Sequence, residues 1–438
     1  MEPGPVQVTF AEAFRVWLKI GCIGFGGPAG QIALMHRILV DEKKWVEESR
    51  YLHALNFCML LPGPEAQKLA TYVGWLLHGM RGGLAAGILF VLPGAFVMLA
   101  FSLLYVLGRG VPVVDGALFG IKAAVLVIVV EALIRIGRRS LKTRLLVGLA
   151  GLAFVGIFFL DLSFPLIVAA AAAVGYLAPP GLLGLKVGQH PAIASSPGRW
   201  RHAAIVSMAG LVLWWAPVAL AFMLLGADHV LVDIGLFFSK LAVVSFGGAY
   251  ALLSYMAQEA VETYRWMTAP EMVDGLGLAE TLPGPLIKVT QFVGFLGAYR
   301  AVEPFSPIAA GIIGSALTTW VTFVPPMLLI FAGAPFIEQL RANHRLSGAL
   351  AAITAAVVGV ILNLTLWFVL HVLFAHIEEM RAGPLRWYAF DPWSIDLRAA
   401  ALALVAAVLA FRFHRGLIEM VAIMAALGIA VRFLLGTN

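Results

Sequence analysis

Apolar residues run along this chain in blocks, not in stripes. Blocks near or above ~18 residues, the length that crosses a bilayer core, occupy residues 83–107, 111–130, 145–160, 203–225, 308–331, 348–370, 399–411 with its flanks, and 416–435. Charged residues gather in the short stretches between them. A helix surrounded by lipid is apolar all round, so this pattern predicts a bundle of membrane-spanning α-helices.

Composition points the same way. Hydrophobic residues make up 61% of the 438 and charged residues only 12%, where a soluble domain carries roughly 25% charged. The 45 glycines suit helices that approach closely in lipid. The net charge of +6 sits in loops, as the positive-inside rule expects, and predicts no nucleic-acid partner. Cys22 and Cys58 lie in apolar context and form neither a disulfide framework nor a zinc site. The first ten residues carry no basic n-region or cleavage site, so no signal peptide is expected.

The chain repeats itself. KIGCIGFGG at 19–27 returns as KLAVVSFGG at 240–248, 221 residues on. The same offset carries Trp45 onto Trp266 and the LPGP beginning at Leu61 onto that beginning at Leu282. One residue is then lost, so that Lys68 meets Lys288 and Tyr72-Val73-Gly74 meets Phe292-Val293-Gly294. Further on, Gly116-Ala117-Leu118 aligns with Gly348-Ala349-Leu350. The expected organisation is an N-terminal repeat at 1–180, a linker plus an extra span at 181–228, and a C-terminal repeat at 229–438.

The extra span bears on orientation. Arg135, Arg138, Arg139, Lys142 and Arg144 mark a cytoplasmic loop. Two spans return the chain to that side, where the linker carries Lys186, Arg199 and Arg201. One more span, 203–225, places the second copy upside down. The counterpart of the basic loop, 374–391, holds Glu378, Glu379 and Asp391 against Arg381 and Arg386, as an external loop would. Arg341, Arg345, Arg412 and Arg415 then fall in cytoplasmic loops. The fold class expected is all-α integral membrane: two inverted-topology repeats with broken helices around a central site.

Each copy carries two breaks in otherwise apolar helical sequence. The first is Gly24-Phe25-Gly26-Gly27-Pro28, with Phe246-Gly247-Gly248 as its mate; the second is Pro62-Gly63-Pro64, with Pro283-Gly284-Pro285. Irregular backbone at membrane depth survives only where protein or a watery cavity satisfies it. A helix restarting after each break, with Pro28, Pro64 and Pro285 at its first position, presents free N–H groups and roughly +0.5 charge to an anion. Lys68 and Lys288 follow their breaks by about a turn, while Lys19 and Lys240 precede theirs; Gln31 and Gln291 are neutral donors. Lysines inside apolar spans are functional candidates by default, against the plainer reading of snorkelling to an interface. Glu65 and Glu280 are candidate coupling carboxylates or charge partners. Lys122, Glu131 and Asp161 are further intramembrane charges, the last two read as helix-end charges; His36, without a mate, reads as structural and the paired tryptophans as interface markers.

No P-loop, HExxH or Cys/His cluster is present, so no cofactor, metal or catalytic group is expected, and transport must draw on an ion gradient or potential. FGGPAGQIALM at 25–35, FGGAYALL at 246–253 and the two LPGP stretches resemble the chromate ion transporter family in its long, two-domain form, over nearly the whole chain. The resemblance implies a multi-pass carrier of the bacterial cytoplasmic membrane that expels chromate, with Phe25, Gly26, Gly27, Pro28, Pro62, Gly63 and Pro64 as signature residues. Ala249 stands where the first half has Pro28, a departure from the pattern. The partners expected are chromate or a sulfate-like oxyanion, the lipid bilayer and a second copy of the chain as a homodimer. Uptake or exchange of sulfate or another oxyanion is an alternative within transport. A membrane-embedded enzyme or structural subunit is an alternative of another class, though no nucleophile or metal set can be assembled for it.

Overall fold

The computed structural model describes residues 8–25, 27–184, 199–246, 249–301, 303–333 and 344–435. Lys186 and Arg341 fall outside them. The first half runs through α1 (Phe10–Ile23), α2 (Gly27–His36), α3 (Glu48–Leu60), α4 (Glu65–Gly108), α5 (Pro112–Ser140), α6 (Arg144–Phe159) and α7 (Phe164–Leu177). The extra helix α8 (Arg199–Leu225) follows. The second half runs through α9 (Val230–Val244), α10 (Ala249–Gln258), α11 (Ala269–Glu280), α12 (Val289–Arg300), α13 (Pro307–Gly333), α14 (His344–Leu373), α15 (Leu397–Ala407) and α16 (Leu417–Leu435). Among the described residues six helices are long and apolar enough to cross a membrane: α4, α5, α8, α13, α14 and α16; α6 and α7 are shorter apolar helices.

The repeat extends to backbone detail. Helix α1 ends on Gly24 at φ −77, ψ 65 and α9 on Ser245 at φ −77, ψ 63. Each is an inverse γ-turn, closed by Phe25 N–H on Ile23 O and Phe246 N–H on Val244 O, both at 2.9 Å. Helices α2 and α10 each run out into a π-turn, Arg37–Glu42 and Glu259–Thr263. Both turns lead to a non-glycine residue at φ 53, Lys44 and its mate Arg265, a conformation uncommon outside glycine. Helix α4 is two helices joined at His78 and Gly79, whose φ/ψ values leave the helical region; the second half makes the same change of direction between α12 and α13.

The described residues divide into two compact units. One comprises Met1–Ala100, Gly188–Ala249 and Leu282–Asn343; the other comprises Phe101–Val187, Tyr250–Thr281 and His344–Asn438. Each unit draws on both halves of the repeat.

In the first unit α8 is held by a reciprocal lock. Proline inside a helix removes the bond to the carbonyl four residues back. Pro217 thereby frees Leu213 O, and Pro325 frees Val321 O. Trp320 Nε1–H donates to Leu213 O and Trp214 Nε1–H donates to Val321 O, each at 3.1 Å. Each indole satisfies the carbonyl released by the other helix's proline, which is what proline at membrane depth requires. In the second unit α14 packs on α5, α6 and α7, and α16 packs on α5. Gly175 and Gly348 each lie against the other's carbonyl oxygen, so α7 and α14 meet backbone to backbone.

The structure adds one small element to the helical fold and corrects one expectation. The fold is helical as expected, and the stretch expected as an external loop adds an antiparallel hairpin, β1 (Ile377–Ala382) with β2 (Leu385–Phe390), turning at Gly383 with φ 59. Arg386 on β2 is buried, bridging Asp161 at 2.9 Å and Glu262 at 3.4 Å. An apolar-block pattern carries no signal for a strand pair whose inward side chain is charged. Trp266, read as an interface marker, is buried and stacks on Tyr264 at 4.4 Å.

Candidate functional site

The four breaks interrupt helices in the first unit, and they pair crosswise between the halves. Gly284 N–H donates to Gly24 O at 2.7 Å, and Gly63 N–H donates to Ser245 O at 3.0 Å. The inverse γ-turn ending α1 thus holds the PGP of the second half, and its mate ending α9 holds the PGP of the first. The glycines are required here by conformation: Gly63 sits at φ 103 and Gly284 at φ 95, where a side chain is strained. Gly26, Gly247 and Gly248 lie outside the described residues. Phe25, Pro28, Pro62, Gly63, Pro64 and Phe246 are half-buried, while Pro283, Gly284 and Pro285 are buried. Gly27 opens α2 at φ 65 with open space beside it.

Pro64 and Pro285 do not occupy the first helical position. Each sits one residue earlier and lends its carbonyl to the new helix: Lys68 N–H bonds Pro64 O and Lys288 N–H bonds Pro285 O, both at 3.1 Å. The first is an α-type bond four residues back; the second is a 3₁₀ bond three back, within the turn Leu286–Lys288. The tighter turn absorbs the single residue that the second half lacks. Each lysine turns back onto a carbonyl of its own break, though one residue out of register: Leu61 O for Lys68 and Pro283 O for Lys288.

Lys68 and Lys288 are each 1% exposed. Lys288 Nζ donates to Pro283 O at 2.7 Å, and Lys68 Nζ donates to Leu61 O. Among the described residues neither forms an ion pair with a carboxylate. Glu65, three residues before Lys68, acts on it electrostatically, whereas no carboxylate acts on Lys288; Lys288 is the buried amine held by backbone carbonyl alone, a costly arrangement. Gly94 lies against Lys288 Nζ and Pro283 O, leaving no room there for a Cβ.

The glutamines act differently from the expectation. An amide has two N–H donors. Those of Gln31 go to Gly24 O at 3.2 Å and Gly284 O at 2.5 Å; those of Gln291 go to Ala95 O and Ser315 Oγ, both at 2.8 Å. Both side chains clamp the protein, and neither keeps a donor for a ligand. Lys19 and Lys240 are exposed and drop out of the site. Glu65 is half-buried at the start of α4, where a carboxylate favours the helix dipole. Glu280 is buried at the end of α11, in the second unit.

A cavity of about 670 Å³ in the same unit, lined by α4, α8 and α13, is almost wholly apolar. It is the wrong chemistry for an ion, and the polar breaks are the candidate instead.

The family described as chromate transporter matches residues 11–176 and 232–431, most of both repeats. The chain belongs to the chromate transporter family. A chromate transport protein of Pseudomonas aeruginosa is 33% identical over 82% of this chain and 81% of its own length. A probable chromate transport protein of Synechococcus elongatus is 28% identical over 81% of this chain and 83% of its own. An uncharacterised transporter of Methanocaldococcus jannaschii is 26% identical over 82% and 84%. These relatives are named as transport proteins, and this chromate transporter family member is a multi-pass membrane protein. No solved structure matches it.

Sequence reasoning about the chromate transporter repeat missed Gln67 and Gly94. Gln67 Nε2–H donates to Phe323 O at 2.9 Å, as Gln291 donates to Ala95 O, so this clamp is crosswise too. The mate of Gln67 in the alignment is Ile287, and the equivalent amide comes one helical turn later at Gln291. A residue-by-residue repeat gives no signal for a function moved by a turn.

Proposed function

We propose that the protein is a secondary carrier that expels a tetrahedral oxyanion, chromate first, from a bacterial cell across its cytoplasmic membrane, driven by an ion gradient or the membrane potential. The observation that carries the reading is the pair of buried lysines, each held by a backbone carbonyl and in no close ion pair among the described residues, one turn past breaks that are cross-bonded between the halves. A dianion entering between them supplies a close counter-charge. Helix starts after the breaks add roughly +0.5 charge each, and backbone N–H groups donate without reorganisation. Crossed pairing also gives a means of alternating access. Each half supplies one γ-turn and one PGP to the site, so tilting one half against the other opens it to one side at a time. In this reading the two repeats lie in opposite orientations, which the loop charges favour.

The site is not symmetric. Gln31 clamps the Gly24–Gly284 junction, whereas Leu252 occupies the matching position in the second half. The two junctions therefore differ in stiffness.

Purified protein in liposomes with chromate on one side tests the reading. Chromate should cross, and sulfate, a dianion of the same shape, should compete. Failure of either anion to cross or to compete refutes the oxyanion reading and returns the family's transport activity to another substrate.

A further inference from the structure

The second unit holds a buried charge pair that the oxyanion site does not use. Helix α11 is buried from Glu271 to Glu280 without interruption. Within it lies Asp274, 1% exposed. Its Oδ1 is 3.2 Å from Lys122 Nζ, on the transmembrane helix α5. Its Oδ2 accepts from the Tyr105 hydroxyl at 3.0 Å. Gly277, one turn on, lies against Ile121 and Val125, which lets α5 come close enough for Lys122 to reach.

The network runs outward. Arg109 Nη2–H donates to the Tyr105 hydroxyl at 2.9 Å, and Arg109 Nη1–H donates to Glu271 at 3.1 Å. Glu271 also accepts from Thr268 N–H at 2.8 Å as part of a capping box, which accounts for its own burial. No such local role accounts for Asp274. The Arg109 side chain is half exposed and that of Lys122 is 24% exposed, so a path of hydrogen-bonding groups leads from the surface to a buried carboxylate. The groups acting on Asp274 are Lys122 from α5, with Tyr105 and Arg109 from the end of α4. Helix α14 also packs on α11 and, among the described residues, adds no charged group to that set.

The pair joins the two repeats, Lys122 from the first and Asp274 from the second, and the repeat gives it no mate. The position matching Asp274 is His53, which is exposed, and the position matching Lys122 is Thr354, whose hydroxyl bonds its own helix at Leu350 O. A pair serving only to hold the repeated fold together has no reason to lack its repeat-related counterpart.

We infer that Asp274, paired with Lys122, is the proton-binding group that couples this carrier to the transmembrane proton gradient. The inference rests on the carrier reading above. Ionised, Asp274 ties α11 to α5 through Lys122. On taking a proton from water it becomes neutral, and the half-buried Lys122 ammonium, left without its partner, swings toward its exposed side. Loss of the proton restores the tie. Helix α11 ends at Glu280, and the chain enters the Leu282–Pro285 break two residues later. The switch therefore sits on the helix that leads directly into one wall of the proposed site. A single switch without a repeat-related mate biases one half of an alternating-access cycle, as directional transport needs.

The test uses full-length protein in liposomes, with wild type, Asp274→Asn and Asp274→Glu compared in two assays. One is chromate exchange at equal pH on both sides, which needs no net proton movement. The other is chromate accumulation under an imposed pH gradient. Wild type and Asp274→Glu should accumulate chromate under the gradient. Asp274→Asn should keep exchange but show no gradient-driven accumulation. Accumulation by Asp274→Asn equal to wild type overturns the inference. So does loss of exchange and accumulation together in a folded variant, which assigns Asp274 a structural role. A wild type that exchanges chromate but ignores the pH gradient overturns the coupling while the carrier reading stands. A wild type that exchanges neither chromate nor sulfate sinks both.

Discussion

Gln31 touches both partners of one crossed junction, and its amide has no spare donor. Replacing it with leucine, the residue the second half carries at the matching position, keeps the volume but strips Gly284 O of a donor at a buried site. An unsatisfied buried acceptor costs about 1–3 kcal/mol. Gln31→Leu should lower the thermal unfolding midpoint of the detergent-purified protein with little change in yield of folded chain. A midpoint equal to wild type would mean the junction is held by Gly284 N–H alone. At this scale the sequence was partly legible. Gly63, Gly284, Lys68 and Lys288 stand out because glycine, proline and lysine are anomalous in an apolar run. The partners they find were not legible. Nothing in the spacing of Gly24 and Gly284 says that a turn in one half bonds a turn in the other, and the exposure of Lys19 and Lys240 depends on which face of α1 and α9 turns inward.

At the scale of elements, the lock between α8 and α13 rests on two carbonyls and two indoles. Trp320→Phe leaves Leu213 O without a partner and should cost about 1 kcal/mol. Pro217→Ala gives position 217 a backbone N–H that can bond Leu213 O within its own helix. The double variant should therefore unfold at a higher temperature than Trp320→Phe alone, and a thermal-melt double-mutant cycle measures the coupling. Strict additivity of the two substitutions would show that the indole and the proline act independently. The helices themselves were readable from apolar length, and their order follows the repeat. The hairpin at Ile377–Phe390 was not, because its inward residue Arg386 is charged and its partners, Asp161, Glu262 and Ile157 O, are distant in sequence.

At the scale of the whole molecule, the repeat, the membrane class and the family were legible, since each depends on motif order and apolar length and not on contacts. The orientation of the halves rests on loop charge and has a direct check. Arg139 and Met380 are both exposed, at the basic loop and in its counterpart. Cys22 is exposed and Cys58 buried, so Cys22→Ser gives a quiet background. In that background Arg139→Cys should react with a membrane-impermeant thiol reagent only from the cytoplasmic side, and Met380→Cys only from outside. Labelling of both from one side would contradict opposed repeats.

The central claim is that the crossed breaks and their buried lysines hold the transported anion. The most direct measurement is chromate uptake into inverted membrane vesicles, normalised to folded protein, for wild type, Lys68→Ala and Lys288→Ala. A charge-assisted buried hydrogen bond is worth about 1.5–3 kcal/mol, so each substitution should weaken apparent affinity roughly ten- to a hundred-fold, with Lys→Arg only partly restoring it because the guanidinium is larger and planar. Unchanged normalised uptake in both alanine variants would contradict the account.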